Sequence, residues 1–260
     1  MTALTGTDAS AAVTAPPLQM IRADIDLRAF HRWAGSKRMI SRNAFDEGYA
    51  MHCLLTESFG PRAPKPFRMI LPRGRGSRGG VFYGYARADA TDLREAAAQY
   101  ADPLQCAALQ VEALKSKPMP VAWRPGQQLG FEVLVRPTIR RSKRAASHAG
   151  TEWDAFLWEA IQHPKGGMKR SREDVYRDWL REQFRRRGGA QMKEVRLKSF
   201  QRTRVIRRRG GQPIEGPDAV MSGTLTITDE EEFAQLLAGG IGRHRAYGYG
   251  MLLLRPPRLS

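Results

Sequence analysis

Residues 221–256 read MSGTLTITDEEEFAQLLAGGIGRHRAYGYGMLLLRP. The apolar residues at the start of this stretch predict a strand over Val220–Ile227. Thr228 followed three residues later by Glu231 has the spacing of a helix start, so a helix is expected over Asp229–Leu237. Then come Gly239-Gly240-Ile241-Gly242-Arg243-His244-Arg245-Ala246-Tyr247-Gly248-Tyr249-Gly250 and an apolar closing strand, Met251–Leu254. A glycine that caps the helix accounts for Gly239 or Gly240. Five glycines around a basic centre ask for more. Glycines admit left-handed backbone and close approach, and peptide N–H groups beside Arg243 and Arg245 make a seat for phosphates.

Upstream, the second half runs through a helix over Ser171–Arg187 and a strand over Glu194–Ile206, joined to Val220–Ile227 by a turn-rich segment. Ser171 and Asp174 have a cap signature, Val175, Trp179, Leu180 and Phe184 form an apolar stripe, and Gly188 stops the helix. The first half has strand, helix, two strands, helix and strand. These are Leu18–Leu27 (apolar at Met20, Ala23 and Ile25), Phe45–Phe59 (capped by Asn43, ended by Gly60), Phe67–Leu71, Gly80–Tyr85, Thr91–Tyr100 and Phe131–Val135. That order is the ferredoxin-like arrangement, shared by the RNA-recognition module. The second half repeats it loosely. The segment Arg28–Arg42 reads as a basic loop that holds His31 and Trp33. The segment Arg140–Arg170 reads as an arm with a short helix over Trp153–Ile161.

The chain carries 43 Lys and Arg against 26 Asp and Glu, a formal charge of +17. Arg136–Arg209 alone holds 22 of the former and 8 of the latter. Such one-sided charge selects polyanionic partners, nucleic acid before a membrane surface. No apolar run approaches the roughly 18 residues of a membrane span. The Ala/Thr-rich residues 1–17 lack the pattern of a signal peptide and read as a flexible lead-in. Cys53 and Cys106 offer no metal spacing, and no GxxxxGK[ST], HExxH or CxxC pattern occurs, so no metal or small-molecule cofactor is expected. The cytoplasm is the default compartment.

On these residues the chain resembles the CRISPR-associated endoribonucleases that process repeat RNA, the CasE-like branch of the RAMP superfamily. Three segments carry the resemblance: the tail 221–256, GQQLGFEVLVRPTIRRSKR (Gly126–Arg144) and DEGYAMHCLLTESFG (Asp46–Gly60). It implies an α+β fold of two tandem ferredoxin-like (RRM-like) domains, expected at 18–136 and 137–260. The second would hold a basic helical insertion at about 140–190 and the glycine-rich loop 239–250. It also implies metal-independent cleavage at the base of a repeat hairpin, with the product kept bound. The partners would be CRISPR repeat RNA, through the crRNA 3′ hairpin, and other subunits of an effector complex. The long basic segment after the first strand and the arm depart from the CasE pattern and are similar to elaborations in type IV CRISPR systems.

Tyr49 and His52 lie three apart on one helix face. A lone helical histidine is commonly a surface or core residue. The resemblance assigns His52 as the catalytic histidine and Tyr49 as its partner, with Arg38 and Arg243 as rivals. In such a reaction the ribose 2′-OH attacks the adjacent phosphorus, leaving a 2′,3′-cyclic phosphate and a 5′-OH. Histidine suits the proton transfer, and Lys37, Arg38 or Arg243 could stabilise phosphate charge. Candidate RNA contacts are Arg22, Lys37, Arg140, Arg141, Lys143, Arg144, Arg185, Arg186, Arg187, Lys198, Arg202 and Arg204. In the glycine loop they are Gly240, Gly242, His244, Arg245, Gly248 and Gly250. Two competing readings are a non-catalytic crRNA-binding subunit of an effector complex and, more weakly, a DNA-binding protein, for which no helix-turn-helix or zinc module is present.

Overall fold

The computed structural model describes residues 16–40, 45–72, 79–140, 152–163, 167–205 and 214–257. Strand β1 (Gln19–Asp26) buries Ile21, Ala23 and Ile25 and leaves Arg22 and Asp24 on the other face. Its apolar phase therefore begins at Ile21, not Met20. The Asp26 carboxylate accepts from the Arg28 and Ala29 amides and starts helix α1 (Leu27–Ser36). The expected basic loop is thus a helix as far as Ser36. Phe30, Trp33 and Ala34 are buried at helical spacing, beneath basic residues that hid the pattern.

Helix α2 (Glu47–Phe59) is capped by Asp46, whose carboxylate accepts from the Tyr49 amide. Asn43, the expected cap, lies outside the described residues. Ala50, Met51, Leu54, Leu55 and Phe59 are buried. Strands β2 (Phe67–Ile70) and β3 (Gly79–Ala86) follow, then α3 (Ala90–Tyr100), α4 (Pro103–Leu109) and β4 (Lys115–Pro118). Capping boxes open α3 (Asp89, Asp92) and α4 (Asp102, Gln105). The strand β4 has the sequence KSKP and is exposed throughout. It is a polar edge strand of the sort that discourages further pairing, and so gives no apolar signal. All pairs are antiparallel, in the order β2-β3-β1-β4.

Strand β5 (Gln128–Val135), expected to close the first half, instead opens the second sheet. It pairs with β9 (Ile214–Ile227) on one side and β10 (Leu253–Arg255) on the other. With β8 (Ala190–Val205) against β9, the order is β10-β5-β9-β8. Helix α6 (Arg172–Arg187) lies between β5 and β8 in the chain, and α7 (Glu230–Gly239) between β9 and β10. Each sheet thus has the ferredoxin-like order, and the chain crosses between them through residues 119–127 rather than after 136. Ser171 and Asp174 form the expected capping box on α6. On α7 the cap is Asp229, not Thr228, because its carboxylate accepts from the Glu232 amide at 2.8 Å.

The arm comprises β6 (Thr138–Arg140) paired with β7 (Glu152–Asp154), then α5 (Ala155–Gln162). Trp153, expected in the helix, is in β7. Asp154 accepts from the Tyr176 hydroxyl at 2.9 Å and from Arg172 at 2.8 Å. The Arg172 guanidinium lies 4.2 Å from the Phe156 ring and 4.1 Å from that of Phe200, a cation–π stack that fastens α5 to α6 and β8.

Candidate active site and nucleic-acid interface

The glycine loop of the second sheet docks on the start of α2 in the first. Its 3-10 turn, Arg245–Tyr247, puts the Tyr247 ring edge-on to His52 with centroids 5.4 Å apart, and 6.0 Å from the Tyr49 ring. The approach is closest at Gly48, where an added Cβ would strike the Tyr247 carbonyl. His52 is half-buried, and burial, aided by the Lys65 charge, lowers its pKa. Its imidazole is neutral at neutral pH and able to accept a proton. One turn away, the Tyr49 hydroxyl hydrogen-bonds the Cys53 thiol, which raises the Tyr49 pKa, so it stays a protonated donor. Tyr49 and His52 thus share a face with Tyr247 between them.

The two arginine candidates go to different places. Arg38 is exposed, in left-handed backbone after α1. The adjacent Lys37 is held against α2 by Glu57 at 2.7 Å. Arg243 instead binds Glu152 of the arm at 2.8 Å, and His244 binds the other oxygen of the same carboxylate at 2.7 Å. Burial pushes the Glu152 pKa up, but His244 and Arg243 together outweigh it and bring it down to about 2. Arg243 is therefore paired with a carboxylate rather than turned towards His52.

Among the loop's candidates, Gly240, Gly242, Gly248 and Gly250 have positive φ. A Cβ on Gly242 would meet Trp179 at 3.0 Å, and one on Gly248 would meet Phe67 at 3.2 Å. What these two glycines visibly admit is the protein's own side chains. The loop's far end is anchored by a buried network. Arg136, 1% exposed, donates to the Tyr249 hydroxyl at 3.1 Å and to Asp218 at 3.3 Å, and Tyr249 donates to Asp218 at 2.8 Å.

Many of the basic candidates are internally paired. Arg22 binds Asp24, Lys198 binds Glu132, Arg202 binds Glu215, and Arg185 and Arg186 share Glu182. Arg187 and Arg245, far apart in sequence, flank Gly239 together, and Arg245 donates to the Gly239 carbonyl at 2.6 Å. Burial and then the Arg187 charge lower the Arg245 pKa. Arg140 ends β6 opposite Glu152. Arg204 lines a cleft of about 640 Å³ between the sheets, with Arg68, Ile70, Phe200 and Tyr247. Arg141, Lys143 and Arg144 lie outside the described residues.

Sequence reasoning missed Gly48, Lys65, Arg68, Glu152 and Tyr247. Arg68 was within reach: Phe67 points inward, so its neighbour points out. By register it joins Tyr83, Arg22 and Lys115 in one row across the first sheet. Tyr247 stood in the glycine loop, but its contact with His52 spans about three-quarters of the chain.

Residues 20–256 match the family described as CRISPR associated protein. The chain belongs to that family. A comparison with curated proteins found no match. Among solved structures, the CRISPR endoribonuclease Cse3 bound to a 19-nucleotide RNA is similar at TM-score 0.57 and 20% identity, covering 92% of this chain and 100% of that one. Thermus thermophilus Cse3 with an RNA representing a pre-cleavage complex gives the same values. Escherichia coli K-12 Cas6e is similar at TM-score 0.52 and 15% identity, over 92% of this chain and 100% of that one. At these identities the likeness establishes the fold, and this CRISPR-associated chain shares the tandem ferredoxin-like fold of those proteins.

Proposed function

We propose that this protein is a metal-independent endoribonuclease that cleaves CRISPR precursor RNA within the repeat, at the base of its hairpin, and stays bound to the mature crRNA. The observation that carries the reading is His52. It is a neutral imidazole seated by Tyr247 of the glycine loop and accompanied by Tyr49. The likeness in fold to RNA-bound Cse3 supports it.

In this reading His52 takes the proton from the ribose 2′-OH as the 2′-oxygen bonds to phosphorus. The P–O5′ bond breaks, giving a 2′,3′-cyclic phosphate; the leaving oxygen takes a proton from water to become the 5′-OH, and the His52 imidazolium returns its proton to solvent. Such acid–base help is worth roughly 10²–10⁴-fold. On binding, the Tyr49 hydroxyl exchanges the Cys53 thiol for a phosphate oxygen, and the exposed Arg38 supplies charge. Arg187 and Arg245 hold backbone phosphates of the hairpin, which is read by shape and charge because the base edges of duplex RNA are inaccessible in its deep groove.

The test is cleavage of the cognate repeat RNA in EDTA by wild type, His52→Ala, Arg38→Ala and Arg243→Ala, with affinity measured alongside. His52→Ala is expected to stop cutting and spare binding. Normal cutting by His52→Ala with failure of the arginine variants would overturn the assignment. Tight binding with no cutting by wild type would mark a non-catalytic crRNA-binding subunit.

A further inference from the structure

Among the described residues, the arm meets the loop through the Glu152 carboxylate, which the reaction outlined above does not use. Glu152, half-buried at the start of β7, binds the side chains of two successive loop residues, Arg243 and His244. His244 is held in left-handed backbone (φ 60°), a conformation that is unfavourable for a non-glycine residue and persists only where the surroundings enforce it. Its carbonyl accepts from the Tyr247 amide at 2.8 Å and so closes the 3-10 turn. Tyr247 is the ring that lies edge-on to His52. A continuous line of contacts therefore runs from the arm through His244 and the turn to the proposed base.

We infer that Glu152 is a positioning residue for His52, and that the arm clamps the glycine loop in the form that seats Tyr247 on the imidazole. This rests on the endoribonuclease reading. It also gives the arm a task other than contacting RNA. A residue that only attracted or repelled RNA would change affinity. A positioning residue changes the rate of the bound complex. Because Glu152 is negative and lies beside Arg243, removing its charge should leave RNA affinity equal or greater while the cleavage rate falls. Those opposite signs separate the two roles.

The experiment measures single-turnover cleavage and the dissociation constant for Glu152→Ala and Glu152→Gln at saturating repeat RNA. Alanine removes both contacts and is expected to slow cleavage about 10- to 100-fold, the effect of a displacement near 1 Å. Glutamine keeps an acceptor and should recover part of the rate. In parallel, the His52 ring-proton NMR resonance is recorded in ligand-free protein, assigned with His52→Ala among the five histidines. It is expected to move in Glu152→Ala as the Tyr247 ring leaves. Wild-type cleavage by both variants, faster cleavage by either, or an unmoved His52 resonance would overturn the inference. If wild type itself does not cut, the endoribonuclease reading fails, and the resonance still reports whether the clamp sets His52. Should alanine unfold the chain, the glutamine variant carries the same test.

Discussion

Gly48→Ala tests the docking of the loop on α2 with a single methyl group. The new Cβ would lie 3.1 Å from the Tyr247 carbonyl carbon and closer still to its oxygen. Carbon pairs rest at about 3.5–4.0 Å, so the turn must withdraw by roughly 0.5–1 Å. Two effects on stability oppose each other. Alanine favours the helix over glycine by about 0.5–1 kcal/mol, and overpacking costs about 1–3 kcal/mol. The net cost is about 0–2.5 kcal/mol, so the melting midpoint should fall by at most about 10 °C, at about 4 °C or less per kcal/mol in a chain of this size. The proposed active site has no such compensation. Tyr247 moves with its carbonyl, and a 1 Å misplacement costs about 10²-fold in rate, or about 2.7 kcal/mol of barrier. The assay is single-turnover cleavage of repeat RNA with affinity and melting measured on the same preparation. The expected result is a rate down 10- to 100-fold, on the order of that estimate, with affinity little changed. Gly35→Ala is the control, since a Cβ there meets nothing within 4 Å; it should stabilise α1 and leave the rate alone. Wild-type cleavage by Gly48→Ala would show that the seating of Tyr247 does not matter to the reaction.

Four further outcomes are expected. Because the His52 pKa lies below its usual 6.5, the base stays neutral as pH falls through 6.5, and the acid limb of single-turnover cleavage should appear only below that value; the same residue's contribution to stability is complete above 6.5 and is lost as pH drops beneath it. The Glu152 clamp works in a lower window, complete above 4.5 and lost as pH falls from there towards about 2, which a pH series of the His244 ring resonance would follow. Arg136→Met should cost about 3–5 kcal/mol in urea unfolding, because Asp218 is left as a buried unpaired charge, and adding Asp218→Asn should restore part of that loss. RNA affinity should fall linearly on a log–log plot against salt, with a gentler slope in Arg187→Ala/Arg245→Ala; a slope near zero in wild type would remove the phosphate-tracking surface.

What the sequence alone determined about this protein was what is local and periodic. The apolar stripe of α6, the Ser171–Asp174 cap, the alternating strands and the glycine cluster follow from spacing within a few residues; the ferredoxin-like order was read with β5 in the place that β4 fills, and the tandem arrangement came from the family resemblance. The net charge of +17 favours polyanionic partners. What lacked a local signal was missed. The edge strand β4 buries no side chain, and α1 wears its basic residues over its apolar face. Membership of β5 in the second sheet depends on hydrogen bonds to strands about 90 residues and more away. Folding in three dimensions settled which arginines are engaged, since pairing depends on where carboxylates arrive; Glu152 reaches Arg243 from 91 positions away. It alone set Tyr247 against His52 and joined Arg187 to Arg245. Spacing along a chain fixes which faces are apolar, whereas the encounter of two faces is settled by packing the whole molecule.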